Sequence, residues 1–260
     1  MCDLRTDGSF GILSPLVRFD HVWKGFILHH ERVARLPDVL SGLLRRSRSK
    51  DVFWALRDVS FTVHGGEALG ILGPNGAGKS TILGLIAQVI RSNRGTVHVI
   101  GKVAPLIASG PGFHGELTAH ENIYLLGNIL GVSNEHVDQA YDSIVRMTGF
   151  ERFIDTPLKR FSPGMRLRLS FAIAAHATPD IFLVDDVLAA GDAAFQDLCV
   201  ETLLDLKARG VAIIVVSHNV STLERVCDRG LLLRSGRVEA SGPLEELSAQ
   251  YRWSNLPVGV

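Results

Sequence analysis

Apolar residues along this chain come in short bursts separated by polar and glycine-rich breaks, and the spacing inside each burst predicts its element. Val17 to Val22 alternates apolar and polar side chains, the period of a half-buried strand. Ala55 to Val63 reads as short strands, and Gly65-Gly66 after them as a turn. Ala68 to Leu72, Ile181 to Val184 and Val211 to Val216 are apolar almost throughout, as strands buried on both faces are. A helix is predicted over Ser80 to Ile90, and the two later strands each follow a helical segment. Strands alternating with helices predict a mostly parallel sheet with helices on its faces. Residues 114–178 read as helical almost throughout, so a helical subdomain is expected inside the sheet domain. Leu231 to Arg234 and Val238 to Ala240 flank Ser235-Gly236, a hairpin signal. Residues 1–16 show no period and are expected to be a loose lead-in.

Composition narrows this picture. Of 260 residues, 46% are hydrophobic, enough for a sizeable core. Lys+Arg and Asp+Glu both number 27, so no global field gathers nucleic acid, and none is expected as a partner. No apolar run reaches the roughly 18–20 residues that span a bilayer. The start, Met-Cys-Asp-Leu-Arg, lacks the basic and apolar regions of a signal peptide. Any membrane role is therefore expected to be peripheral. Cys2, Cys199 and Cys227 are too few and too scattered for a disulfide framework, which suits a reducing, cytosolic setting. The segment Arg32 to Lys50 ends in Leu-Leu-Arg-Arg-Ser-Arg-Ser-Lys, either a basic hook toward lipid phosphates or a solvated insertion.

The densest chemistry is Gly73-Pro74-Asn75-Gly76-Ala77-Gly78-Lys79-Ser80, a full phosphate-loop pattern followed by Thr81. Glycines let backbone N–H groups approach phosphate oxygens without an intervening Cβ, and the following helix offers its positive end. Lys79 would supply charge to the β- and γ-phosphates, and the Ser80 hydroxyl would ligate Mg²⁺. Lys79 is expected to face solvent. The strand Ile181 to Val184 runs into Asp185-Asp186. Asp185 is the expected Mg²⁺ partner, and Asp186 the group that orients or deprotonates the attacking water. Without a phosphate loop, two acids at a strand end would more simply face solvent.

Phe161-Ser162-Pro163-Gly164-Met165 precedes an apolar helix, Leu167 to Ala177, with Ser162 as N-cap and Pro163 in the first turn. In this place it resembles the signature motif of ABC (ATP-binding cassette) ATPases, usually Leu-Ser-Gly-Gly-Gln, with Pro163 for a Gly and Met165 for the Gln. Ala190-Gly191-Asp192 resembles the D-loop of that family, and His218 its H-loop histidine. The ordered set spans nearly the whole chain. A finer resemblance is to ATP-binding subunits of polysaccharide exporters of the O-antigen, capsule and teichoic-acid group. It lies in Trp54 to Phe61, Gly110 to Thr118 with Glu121-Asn122, Ser162 to Met165, and Asp186 to Gln196.

The resemblance implies an α/β fold: a P-loop NTPase (RecA-like) core over 17–113 and 179–245 with a small antiparallel β-subdomain. It also implies an inserted helical subdomain over 114–178 and a C-terminal tail over 246–260. It implies a homodimer closed across ATP and Mg²⁺. The nucleotide would lie on Gly73, Asn75, Gly76, Ala77, Gly78, Lys79, Ser80 and Thr81, with Ser162, Gly164 and Met165 supplied by the opposite subunit. Catalysis would fall to Asp186 and His218, and the base would stack on Phe26, with Trp23 as rival. The implied partners are two copies of a separate transmembrane permease at the cytoplasmic face of the inner membrane, the cargo a lipid-linked polysaccharide. The short tail implies no C-terminal carbohydrate-binding domain. Two departures stand out. Ala108, Ser109 and Gly110 occupy the place of the Q-loop glutamine, and Asp186 that of the usual Glu. Another cargo (a lipid or drug), or a weakly active regulatory subunit, are the alternatives.

Overall fold

The computed structural model describes residues 14–27, 51–106, 112–185, 191–217 and 220–254. Asp186, His218, the Ala108-Ser109-Gly110 stretch and the basic insertion 32–50 lie outside the described residues.

Among the described residues there are two sheets. The larger has the order β5-β6-β7-β3-β8-β9, from β3 (Ala68–Leu72), β5 (Val103–Leu106), β6 (Ile181–Asp185), β7 (Ala212–Val216), β8 (Arg229–Arg234) and β9 (Arg237–Pro243). The strands from β5 to β8 pair in parallel, and β9 closes the edge antiparallel to β8. The smaller sheet is antiparallel, in the order β2-β1-β4, from β1 (Val17–Ile27), β2 (Val52–Val63) and β4 (Arg94–Val99).

The apolar runs are explained by how their residues divide. Ala68, Leu72, Phe182 and Val184 face one side of the large sheet, where α4 (Pro163–His176), α5 (Ala193–Ala208), α6 (Val220–Val226) and α7 (Leu244–Ser254) cover them. Leu69, Ile71, Ile181 and Leu183 face the other, where α1 (Lys79–Ile86) and the small sheet lie. Both faces are dry, so alternation vanishes. A third core is built from α2 (Ala119–Ile129), α3 (Asn134–Thr148) and one side of α4. Helix α4 serves two cores: Leu167, Phe171 and Ala174 pack on the sheet, and Leu169, Ala172 and Ile173 on α2 and α3. Each fully buried leucine or isoleucine among these stabilises the fold by about 1.5–3 kcal/mol.

Several boundaries differ from the periodicity reading. The helix expected to reach Ile90 stops at Ile86. Gln88 takes a left-handed φ of 58° and donates to the Leu85 carbonyl, while Val89 donates to Gly84, a Schellman closure. Ile90 then folds back onto Gly84. The strand expected at Val17 to Val22 runs on to Ile27, through bulges that keep its pairing with β2. The short strands expected over Ala55 to Val63 are one strand, Val52–Val63. The expected limit at 245 falls inside α7, because Leu244 and Leu247, with Tyr251 one turn further, pack on the large sheet's core. Ser235 and Gly236 both have positive φ, 48° and 76°, and make the two-residue turn of the β8–β9 hairpin. Cys199 and Cys227 are free buried thiols, and burial pushes both up to about 12, so they serve as apolar packing.

Candidate functional site

The phosphate loop joins β3 to α1 and is braced from distant parts of the chain. Gly73 has φ 151°, and a Cβ there would lie 2.2 Å from the Leu233 carbonyl oxygen. Gly78 has φ 109°, and a Cβ there would lie 2.5 Å from the Ala55 carbonyl oxygen. Both positions therefore need glycine for conformation and for space. The hairpin turn presses on the same place, with Gly236 donating to the Ala77 carbonyl at 3.0 Å. Gly78 caps α1 without a side chain, so no side-chain oxygen competes with an anion for the first N–H groups of the helix.

A cleft of about 280 Å³ opens over this loop. Asn75, Gly76, Gly78, Lys79, Ser80 and Thr81 line one side. Asp185, at the end of β6, and Val216, its register partner on β7, line the floor. Gly73 and Ala77 sit beneath the lining: Ala77 is 2% exposed and donates to the Pro74 carbonyl at 3.2 Å. Lys79 corrects an expectation. It does not face solvent; it is 9% exposed, and its ammonium donates to the Gly73 and Pro74 carbonyls at 2.7 and 3.0 Å. The tight loop turns these carbonyls inward, and a buried ammonium must find acceptors. Ser80 and Asp185 put a hydroxyl and a carboxylate in one cleft, the hard oxygen donors that suit Mg²⁺.

The far end of the cleft is aromatic. Phe26 and Phe53 are register partners across β1 and β2, are 40% and 51% exposed, and both line the cleft. Lys24 lies over the Phe26 ring at 5.0 Å. Trp23 is engaged elsewhere, edge-on to Trp54 at 5.6 Å with Arg94 and Arg237 over its ring. Phe53 was missed by sequence reasoning. Its signal is an aromatic just before the Trp54 to Phe61 stretch, but only the β1–β2 register puts it beside Phe26. Base stacking on an aromatic is worth about 1–3 kcal/mol, so Phe26→Ala is expected to raise the Kd for ATP roughly ten-fold. Phe53→Ala should raise it less, and Trp23→Ala by under about two-fold. Calorimetric titration of the three variants checks this. A loss confined to Trp23→Ala would move the base to the other ring.

The signature residues stand apart from this cleft. Ser162 caps α4 by accepting from the Met165 N–H at 3.2 Å, with Pro163 in the first turn. Ser162 is exposed, Gly164 and Met165 are partly so, and none of the three lines the cleft. Asp192 caps α5: one carboxylate oxygen accepts the Phe195 N–H at 2.9 Å, and the other takes the Arg168 guanidinium from α4. Asp186 directly follows Asp185, and His218 directly follows Ser217, which is 3% exposed at the end of β7. The described parts of β6 and β7 thus both end on the side of the sheet where β3 enters the loop, the usual ligand edge of a parallel sheet.

A family model for ABC transporters matches residues 56–189. An O-antigen export system ATP-binding protein of Klebsiella pneumoniae, RfbB, is 40% identical over 245 residues, covering 92% of this chain and 98% of that protein. A teichoic acids export ATP-binding protein of Listeria monocytogenes serotype 4b, TagH, is 37% identical over 244 residues, covering 92% of this chain and 71% of that one. Among solved structures, an ATP-binding subunit of an ABC transporter overlays with a TM-score of 0.73 at 24% identity, covering 93% and 95% of the two chains. A dimeric ATP-binding cassette bound to ADP and Pi overlays at 0.72 with 22% identity, covering 88% and 98%. These two overlays support the α/β cassette fold.

Proposed function

This chain belongs to the ABC transporter family, and from that premise we propose that it binds and hydrolyses ATP to drive export of a lipid-linked polysaccharide through a separate membrane permease. The observation that carries the ATPase reading is one cleft lined by Asn75, Gly76, Gly78, Lys79 and Ser80 of the phosphate loop, an acidic strand end and an aromatic pair. The cargo reading rests on relatives named for O-antigen and teichoic-acid export that match 92% of the chain. Among the described residues no helix is long and apolar enough to cross a membrane. The place proposed for the subunit, peripheral at the cytoplasmic face of the inner membrane, rests on the relatives named for export.

The residues divide the work by position. Backbone N–H groups of the loop and the first turn of α1 take the phosphate oxygens. Lys79 turns from the Gly73 and Pro74 carbonyls to the β- and γ-phosphates, exchanging neutral acceptors for charged ones. Phe26 and Phe53 hold the base. Ser80 and Asp185 would hold Mg²⁺, which when bound draws charge from the phosphates. Asp186 orients and deprotonates the attacking water, and His218 holds it against the γ-phosphate.

Ser162 and the N–H groups near Gly164 stand outside the cleft, and their proposed role is to meet the γ-phosphate held by a second copy. Two copies then close on ATP and part when the γ-phosphate is lost, an attraction removed with its charge. Two copies of the permease complete the assembly.

The test is genetic and biochemical together. Deleting the gene should abolish surface polysaccharide while its lipid-linked form accumulates inside the cell, and the purified protein should hydrolyse ATP. Surface polysaccharide that persists unchanged, with export of another lipid lost, would reassign the cargo.

A further inference from the structure

Helix α4 carries Ser162 at its start and Arg168 between its two packed faces, with Arg168 partly buried. The Arg168 guanidinium donates to one carboxylate oxygen of Asp192 and lies over the Phe195 ring at 5.0 Å from its centroid. One turn further along α4, Phe171 meets the same Phe195 ring edge-on at 5.8 Å. On α5 the contacted positions are Asp192 and Phe195, with buried Cys199 one turn on, a single stripe. Gly191, just before α5, is gathered into the joint as well. A Cβ at Gly191 would lie 2.4 Å from the Phe195 ring, and Gln196 donates to the Gly191 carbonyl at 3.0 Å.

The ion pair is a weak source of stability. Its side chains are 30% and 64% exposed, and pairs of that exposure contribute about 0–1 kcal/mol. Its geometry is more telling. Both Asp192 oxygens are committed, one to the helix cap and one to Arg168, so the carboxylate fixes the start of α5 to a helix that belongs equally to the helical subdomain.

We propose that Arg168 is a positioning residue for ATP hydrolysis. Through Asp192 it couples the signature helix to the loop entering α5, so that Ser162 and the Gly191-Asp192 corner reach a second copy as one piece. The inference rests on the two-copy function proposed above. Arg168 does not line the cleft; it acts through Asp192 and Phe195.

The test uses variants that separate the coupling from the cap. Asp192→Asn keeps a capping oxygen, since Asn caps helices as well as Asp, but removes the charge that Arg168 meets. Arg168→Met keeps aliphatic bulk and removes the guanidinium. Each is expected to lower kcat roughly ten-fold, the scale of a small misplacement of reacting groups, with KM for ATP within about two-fold of the parent. The double variant should be no slower than the slower single one, because both remove one coupling. Arg168→Lys should recover part of the rate, as it restores charge without the planar contact on Phe195.

Thermal unfolding of each variant accompanies the kinetics, and if Arg168→Met does not fold, Asp192→Asn alone carries the comparison. Variants that turn over like the parent, a loss lying in KM, or losses that multiply in the double variant would each overturn the inference. A parent without ATPase activity would instead overturn the function proposed above, and the inference with it.

Discussion

Lys79→Ala is expected to abolish measurable ATP hydrolysis. In the function proposed above, the ammonium turns from its loop carbonyls to phosphate oxygens that gain charge in the transition state. Removing one donor of that kind costs on the order of a hundred- to a thousand-fold in kcat. ATP binding should weaken as well, since the β- and γ-phosphates lose their nearest cation. The structure adds a cost that the loop motif alone does not suggest. Lys79 is buried and bridges the Gly73 and Pro74 carbonyls, so its removal strips two inward-facing acceptors of a donor. A loss of about 1–3 kcal/mol in stability is expected, a few degrees in Tm for a chain of this size. Steady-state ATPase and thermal unfolding of the parent and Lys79→Ala, side by side, check both. Full activity in the variant would place hydrolysis outside this cleft.

Asp186→Asn should lose nearly all turnover while still binding ATP and dimerising on it. The residue follows Asp185 at the end of the acidic strand, where the family resemblance leads one to expect Glu. A general base must come within about 3 Å of its water. An Asp carboxylate stops about 1.5 Å short of a Glu carboxylate, one C–C bond. A misplacement of that order costs roughly a hundred-fold unless the strand end compensates. Asp186→Glu is therefore expected to keep activity or raise it. Phosphate release by the three proteins, with light scattering to follow ATP-dependent dimerisation, separates these outcomes. Parent-like hydrolysis by Asp186→Asn would shift the role of base to another group, with His218 first in line.

Much of the fold was legible because its signals are local. Ala68 to Leu72 is read as a strand from four apolar side chains around Gly70, and all five residues are buried. The cap at Ser162, the proline after it and the Ser235-Gly236 turn are short-range chemistry, and they form as their residue types predict. The helix end at Ile86 was not legible. Its closure depends on Gln88 entering a conformation that glycine or asparagine usually takes, and on Ile90 finding Gly84. Nor was the run of α7 past residue 245, which follows from a sheet face waiting for Leu244, Leu247 and Tyr251.

The chain by itself determined the family, the phosphate loop and the acidic end of β6, because each is carried by runs of neighbouring residues whose types can be read without knowing their distant partners. Only the tertiary structure decided what stands around them. The β1–β2 register brought Phe53 beside Phe26, and the β8–β9 hairpin set Leu233 and Gly236 against the loop. The fold buried Lys79 on its own loop carbonyls and set Arg168 of one helix on Asp192 of another. Each of these is a contact between side chains or carbonyls whose partner is chosen by strand register and helix packing. Periodicity states which face of an element is buried; it does not state which residue meets it there.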